Sequence, residues 1–105
     1  MKQQRLTRQP VPKVTEEDVK RVALRDFGIA QLPEVFSILN GLQDLKEDPR
    51  IRLAVMKLAN QDIKRLPDRI KSALRDWRDT LVAAEYPTSD YDADWLQYRQ
   101  WLTKK

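Results

Sequence analysis

The densest set of carboxylates in the chain is Asp90-Tyr91-Asp92-Ala93-Asp94, whose alternating acids match the opening of a calcium-binding loop. Such a loop needs glycine at its sixth position and glutamate at its twelfth, and Trp95 and Trp101 stand there instead. Acids are also favoured at helix N-termini, so this run reads as a helix cap rather than a metal site. Histidine and cysteine are both absent. Their absence removes the commonest general base and metal ligand, every Ser-His or Cys-His nucleophile pair, thiolate zinc sites and a disulfide framework. The only glycines, Gly28 and Gly41, are too far apart to build a phosphate-cradling loop. Acid-base or magnesium chemistry by carboxylates alone would require three or more acids to converge, and no spacing places them together. The chain therefore reads as a non-enzyme that implies no cofactor, no metal and no small-molecule substrate.

Two other residue classes point to binding. Between Arg50 and Arg78 nine basic residues face only Asp62, Asp68 and Asp76, a balance of +6. Lys64, Lys71, Arg75 and Arg78 follow one another at spacings of seven, four and three. On a continuous helix this forms a basic ridge able to meet phosphates. Asp68 with Lys71 and Asp79 with Arg75 have the spacing of ordinary surface ion pairs, which makes the same ridge a solvated outer face. The aromatic class comprises Trp77, Tyr86, Tyr91, Trp95, Tyr98 and Trp101, gathered in the last third. Packing accounts for most of these rings. Any of Tyr91, Trp95, Tyr98 and Trp101 left outside would anchor a partner.

The elements that must position these groups are helical. Two glycines are too few for the turns of an antiparallel sheet, and 41% hydrophobic against 34% charged residues still supplies one core for a chain of 105 residues. The reading is an all-α bundle of four main helices plus a short C-terminal one. Thr15-Glu16-Glu17-Asp18 is a capping box opening a helix over 16–27, with Val19, Val22, Ala23 and Phe27 on its apolar face and Gly28 as its left-handed stop. A second, largely buried helix starts at Pro33 and ends near Gly41; a third spans 49–59 after the Asp48-Pro49 cap. Asn60 and Asp62 supply the next turn and cap. The longest stripe, Ile63, Leu66, Ile70, Ala73, Leu74, Trp77, Leu81 and Ala84, predicts a fourth helix over 67–85 that starts or bends at Pro67. Tyr86-Pro87-Thr88-Ser89 ends it, and Trp95, Tyr98, Trp101 and Leu102 lie on the last, short helix. The connection from Gln43 to Asp48 is longer than a helix-turn-helix joint allows.

Residues 1–13 read as a flexible basic tail on a single domain of 14–105. Lys2, Arg5, Arg8 and Lys13 precede the first acid and account for the whole net charge of +4. No apolar run resembles a signal peptide or a membrane span, so the expected compartment is the cytoplasm.

Two stretches, Arg50-Ile51-Arg52-Leu53-Ala54-Val55-Met56-Lys57-Leu58-Ala59 and Trp77-Arg78-Asp79-Thr80-Leu81-Val82-Ala83-Ala84-Glu85-Tyr86-Pro87, resemble a family of short uncharacterised bacterial all-helical proteins. Members read R-[IV]-x-L-A-x-L-K-L-A, then [YW]-R-D-x-L-x-x-A-E-Y-P, so the likeness covers roughly residues 34 to 87. It implies a small helical bacterial protein and brings no activity with it. The chain departs from the pattern at Pro67 and after Pro87. Within the second motif, Trp77, Arg78, Asp79, Glu85 and Tyr86 read as a structural set, the charged groups stapling the fourth helix to a neighbour. Trp95-x-x-Tyr98-Arg99-x-x-Leu102 is also similar to the C-terminal signature of some phage tail assembly chaperones, so a chromosomal and a phage-derived gene are both open. The functional expectation is a small protein-interaction or regulatory module, a homodimer or a regulatory subunit, using an apolar or aromatic groove bordered by the fourth helix and the C-terminal segment. The alternative is nucleic-acid binding through the ridge and the tail.

Overall fold

Thr15 opens the first helix, α1 (Glu16–Phe27), with the full reciprocal cap: its hydroxyl accepts the Asp18 N–H at 3.3 Å and the Asp18 carboxylate accepts the Thr15 N–H at 2.9 Å. In the computed structural model, which describes residues 13–42, 45, 48–85 and 96–105, Gly28 ends α1 at φ 81°, ψ 159°, its N–H donating to the Leu24 carbonyl at 3.0 Å. A 3-10 turn, Ile29–Gln31, leads into α2 (Leu32–Leu39), with proline in the first turn. A second 3-10 turn, Asn40–Leu42, follows α2. Only one face of α2 is inside: Val35 and Leu39 are buried, Phe36 and Ile38 are half-buried, and the helix is less sequestered than its composition suggests.

The third helix, α3 (Asp48–Ala59), is the centre of the fold. It packs against α1, α4 and α5, and every residue from Ile51 to Met56 is buried, as expected of a helix whose whole circumference is covered. Asn60 and Gln61 end it in the left-handed region, at φ 52° and 68°. Asp62 then caps a 3-10 turn, Ile63–Arg65, by accepting the Lys64 N–H at 3.0 Å. The next helix, α4 (Leu66–Arg75), begins at Pro67's end of the stripe, so the proline occupies a first turn rather than a bend.

The helix predicted over 67–85 is two helices, α4 and α5 (Trp77–Glu85), separated at Asp76. The reason is local. Asp76 leaves helical geometry at φ −155°, ψ 89°, and its carboxylate turns to the Asp79 N–H at 3.4 Å while its carbonyl accepts the Thr80 N–H at 3.3 Å. Aspartate is a poor interior helix residue and a strong N-cap, so it stops one helix and starts the next. Along the stripe Leu66, Ile70, Ala73, Leu81 and Ala84 are buried and Trp77 is half-buried, whereas Leu74, expected inside, is 55% exposed.

The last helix, α6 (Leu96–Thr103), contributes Tyr98 and Leu102 to the core. All six described α-helices thus feed one hydrophobic cluster, and the described residues contain no strand: the fold is all-α. No described helix is long and apolar enough to cross a membrane. The N-terminal tail from Met1 to Pro12, the acidic run at 90–94, and Tyr86, Tyr91 and Trp95 lie outside the described residues, as does the Glu85 side chain.

Candidate interaction surfaces

Of the aromatic candidates, Tyr98 and Trp101 are placed, and both are largely used by the fold. Tyr98 is 3% exposed, with its ring 5.7 Å from that of Trp101. Trp101 is half-buried under two cations: the Arg25 guanidinium carbon lies 5.0 Å and the Lys57 ammonium 5.9 Å from its ring centroid. Tyr98 therefore presents almost no surface to a partner, and Trp101 is only partly exposed.

What the end of α6 does present is a groove that the sequence reading did not single out. Arg21 and Arg25, one turn apart on α1, reach to main-chain carbonyls at and just beyond the C-terminus of α6. Arg21 donates to the Leu102 oxygen at 2.6 Å; Arg25 donates to the Trp101 oxygen and to the Lys104 oxygen at 3.0 Å. Cations at this end of a helix meet both the orphan carbonyls and the negative end of the dipole. Each arginine has its own carboxylate. Arg21 pairs with Asp18 at 3.0 Å on the surface, whereas Arg25 is held by Asp26 through two hydrogen bonds of 2.7 and 3.2 Å, with side chains only 11% and 4% exposed. Between α1 and the end of α6 lies a space of about 590 Å³ bordered by Arg21, Leu24, Arg25, Thr103, Lys104 and Lys105. Leu24 lies off the buried stripe of α1 and is 48% exposed, so an apolar side chain lines a groove with a basic rim. The legible signal was Leu24 itself, a leucine out of phase with Val19, Val22, Ala23 and Phe27 and set between two arginines four residues apart.

The basic ridge is not one face of one helix. Lys64 lies in the 3-10 turn, Lys71 and Arg75 lie on α4, and Arg78 lies on α5 beyond the break. All four are exposed, and among the described residues none of them forms an ion pair. The expected Asp79–Arg75 pair fails because the two residues no longer share a helix; Asp68 and Lys71, both exposed, remain apart in solvent. Arg78 lies over the Trp77 ring at 5.6 Å instead of stapling helices together. Arg52, counted in the +6 segment, is not on the surface at all. It is 4% exposed and paired with Glu16, and this ion pair ties α3 to the start of α1.

A smaller cleft of about 190 Å³ between α4 and α5 is bordered by Arg69, Ser72, Arg75, Asp76, Asp79 and Thr80 over Leu58 and Ala83. Its charges are mixed, two arginines facing two aspartates. Among the described residues no group of three or more acids is placed to hold a metal ion. Compared with protein-family models, with curated proteins and with solved structures, the chain matches none.

Proposed function

We propose that this protein is a non-enzymatic protein-interaction or regulatory module of the bacterial cytoplasm, and that its partner surface is the groove between α1 and the C-terminal end of α6. The observation that carries the reading is the space of about 590 Å³ lined by Leu24 and rimmed by basic side chains, a volume within the usual range of binding clefts. Arg21 and Arg25 are bonded to the Leu102 and Trp101 carbonyls of α6, so a partner would not have to order these two side chains. The bacterial setting rests only on the resemblance of residues 50–59 and 77–87 to motifs of short helical bacterial proteins.

A second reading, nucleic-acid binding, is favoured by one specific observation: Lys64, Lys71, Arg75 and Arg78 are exposed without ion pairs among the described residues. Two measurements separate the readings. A photo-crosslinking amino acid at position 24 is expected to give covalent protein adducts in a bacterial host where the same probe at position 74 gives none. Light scattering with a mixed-sequence duplex is expected to show no mass increase at near-physiological salt. A mass increase that survives such salt and disappears when all four basic residues are changed to alanine transfers the function to the second reading.

A further inference from the structure

The groove's chemistry says more than that something binds there. Its borders include Arg21, Arg25, Lys104 and Lys105, offset by Asp18 and Asp26, which pair with the two arginines and leave the site net positive. Asp26 is turned inward onto Arg25 and is 4% exposed, so its charge does not face the groove. Lys104 and Lys105 are exposed beside Leu24 and Thr103. Resting on the reading above, we infer that the groove takes an acidic amphipathic segment of a protein partner: an apolar side chain set against Leu24, with carboxylates toward Lys104, Lys105 and the outer side of Arg21.

Charge complementarity selects this occupant over two others. The chain's own basic tail, with Lys2, Arg5, Arg8 and Lys13, would place cations against cations. A basic amphipathic helix meets the same repulsion. The Arg21 side chain is 43% exposed even while bonded to Leu102, so it retains a solvent-facing edge that an incoming carboxylate can share. The apolar contact supplies affinity, and the lysines supply orientation and the salt dependence of the encounter.

The test uses the full chain, isotope-labelled for amide NMR, and three helical peptides of equal length: one of Glu and Leu with leucines at helical spacing, its Lys and Leu counterpart, and its Glu and Ala counterpart. The Glu/Leu peptide is expected to shift the amides of residues 20–25 and 101–105. Its binding should weaken at least about tenfold in Leu24→Gln, the size of one hot-spot contact. Binding should also weaken several-fold between about 50 mM and about 300 mM salt, and likewise in the Lys104→Glu, Lys105→Glu double variant. These positions are exposed, so the variants keep the fold, which circular dichroism checks. Equal or tighter binding of the Lys/Leu peptide at the same amides overturns the acidic partner and leaves the groove as an interaction site. So does a dimer that forms through the groove, or binding of the protein to anionic lipid vesicles in preference to the peptide. If no peptide shifts these amides, the acidic partner falls, and the crosslinks from position 24 then decide separately whether the interaction reading survives.

Discussion

Gly28 occupies a backbone conformation open to almost no other residue, φ 81° with ψ 159°, and nothing lies within 4 Å of where its Cβ would be. Its requirement is conformational and owes nothing to crowding. Gly41 is the opposite case: its φ is ordinary, and a Cβ there would meet Ile70 Cγ2 at 3.6 Å, a normal contact. Gly28→Ala is therefore expected to cost about 1–3 kcal/mol through backbone strain. Gly41→Ala should be neutral or stabilise by up to about 1 kcal/mol through the unfolded chain. Urea unfolding of the two variants checks both, and equal effects would show that the positive φ of Gly28 carries no penalty for alanine. Arg52 is the other residue whose role is set by its surroundings. Buried in the centre of α3, its charge is tolerated because Glu16 reaches it from the first turn of α1.

At the scale of elements, α6 depends on its neighbour more than on itself. It is a helix of eight residues, shorter than a helix that holds its shape alone in water, and Tyr98 and Leu102 are its buried residues among those described. Arg25 supplies what is missing, with carbonyl bonds at the helix end, a guanidinium over Trp101, and a buried partner in Asp26. Arg25→Ala is expected to lower the local opening free energy of residues 96–103 by about 1–3 kcal/mol, the combined scale of a helix-end cation and a cation–π contact. Hydrogen exchange should show faster amides in α6 with α3 unchanged. Arg25→Lys should recover only part of this, since an ammonium cannot bind Asp26 through two parallel bonds while reaching Lys104. Unchanged α6 exchange in both variants would mean that apolar burial alone docks the helix.

For the molecule as a whole, stability is concentrated in α3, where Ile51, Leu53, Val55 and Met56 are fully buried between α1, α4 and α5. Leu53→Ala is expected to cost about 2–5 kcal/mol, cavity included. That is a large fraction of the about 5–15 kcal/mol typical of a domain. Leu74→Ala should stay within about 0.5 kcal/mol, because Leu74 is 55% exposed despite lying on the predicted stripe. Thermal unfolding of the pair measures the difference. A comparable loss at position 74 would require that leucine to be covered in solution, as a partner or second copy would cover it.

The helix starts and stops were legible in the chain because they are local chemistry. Thr15 with Asp18, and Asp62, act within three or four residues of themselves and cap as their type and spacing imply; Gly28 ends α1 at positive φ, but its ψ of 159° lies outside the left-handed helical region expected of a glycine stop. The all-α class followed from the same signals and from the scarcity of glycine. The break at Asp76 was written there too, as an aspartate three residues before another, but the apolar stripe running through it masked the cap. Other features were decided only by tertiary structure: that α3 lies at the centre and buries Arg52, that Leu74 turns outward while Leu24 lines a groove, and that Arg21 and Arg25 close the end of a helix about eighty residues further along the chain. Periodicity tells which residues share a face. Which faces are covered depends on the packing of helices far apart in sequence, and no spacing within one helix encodes that.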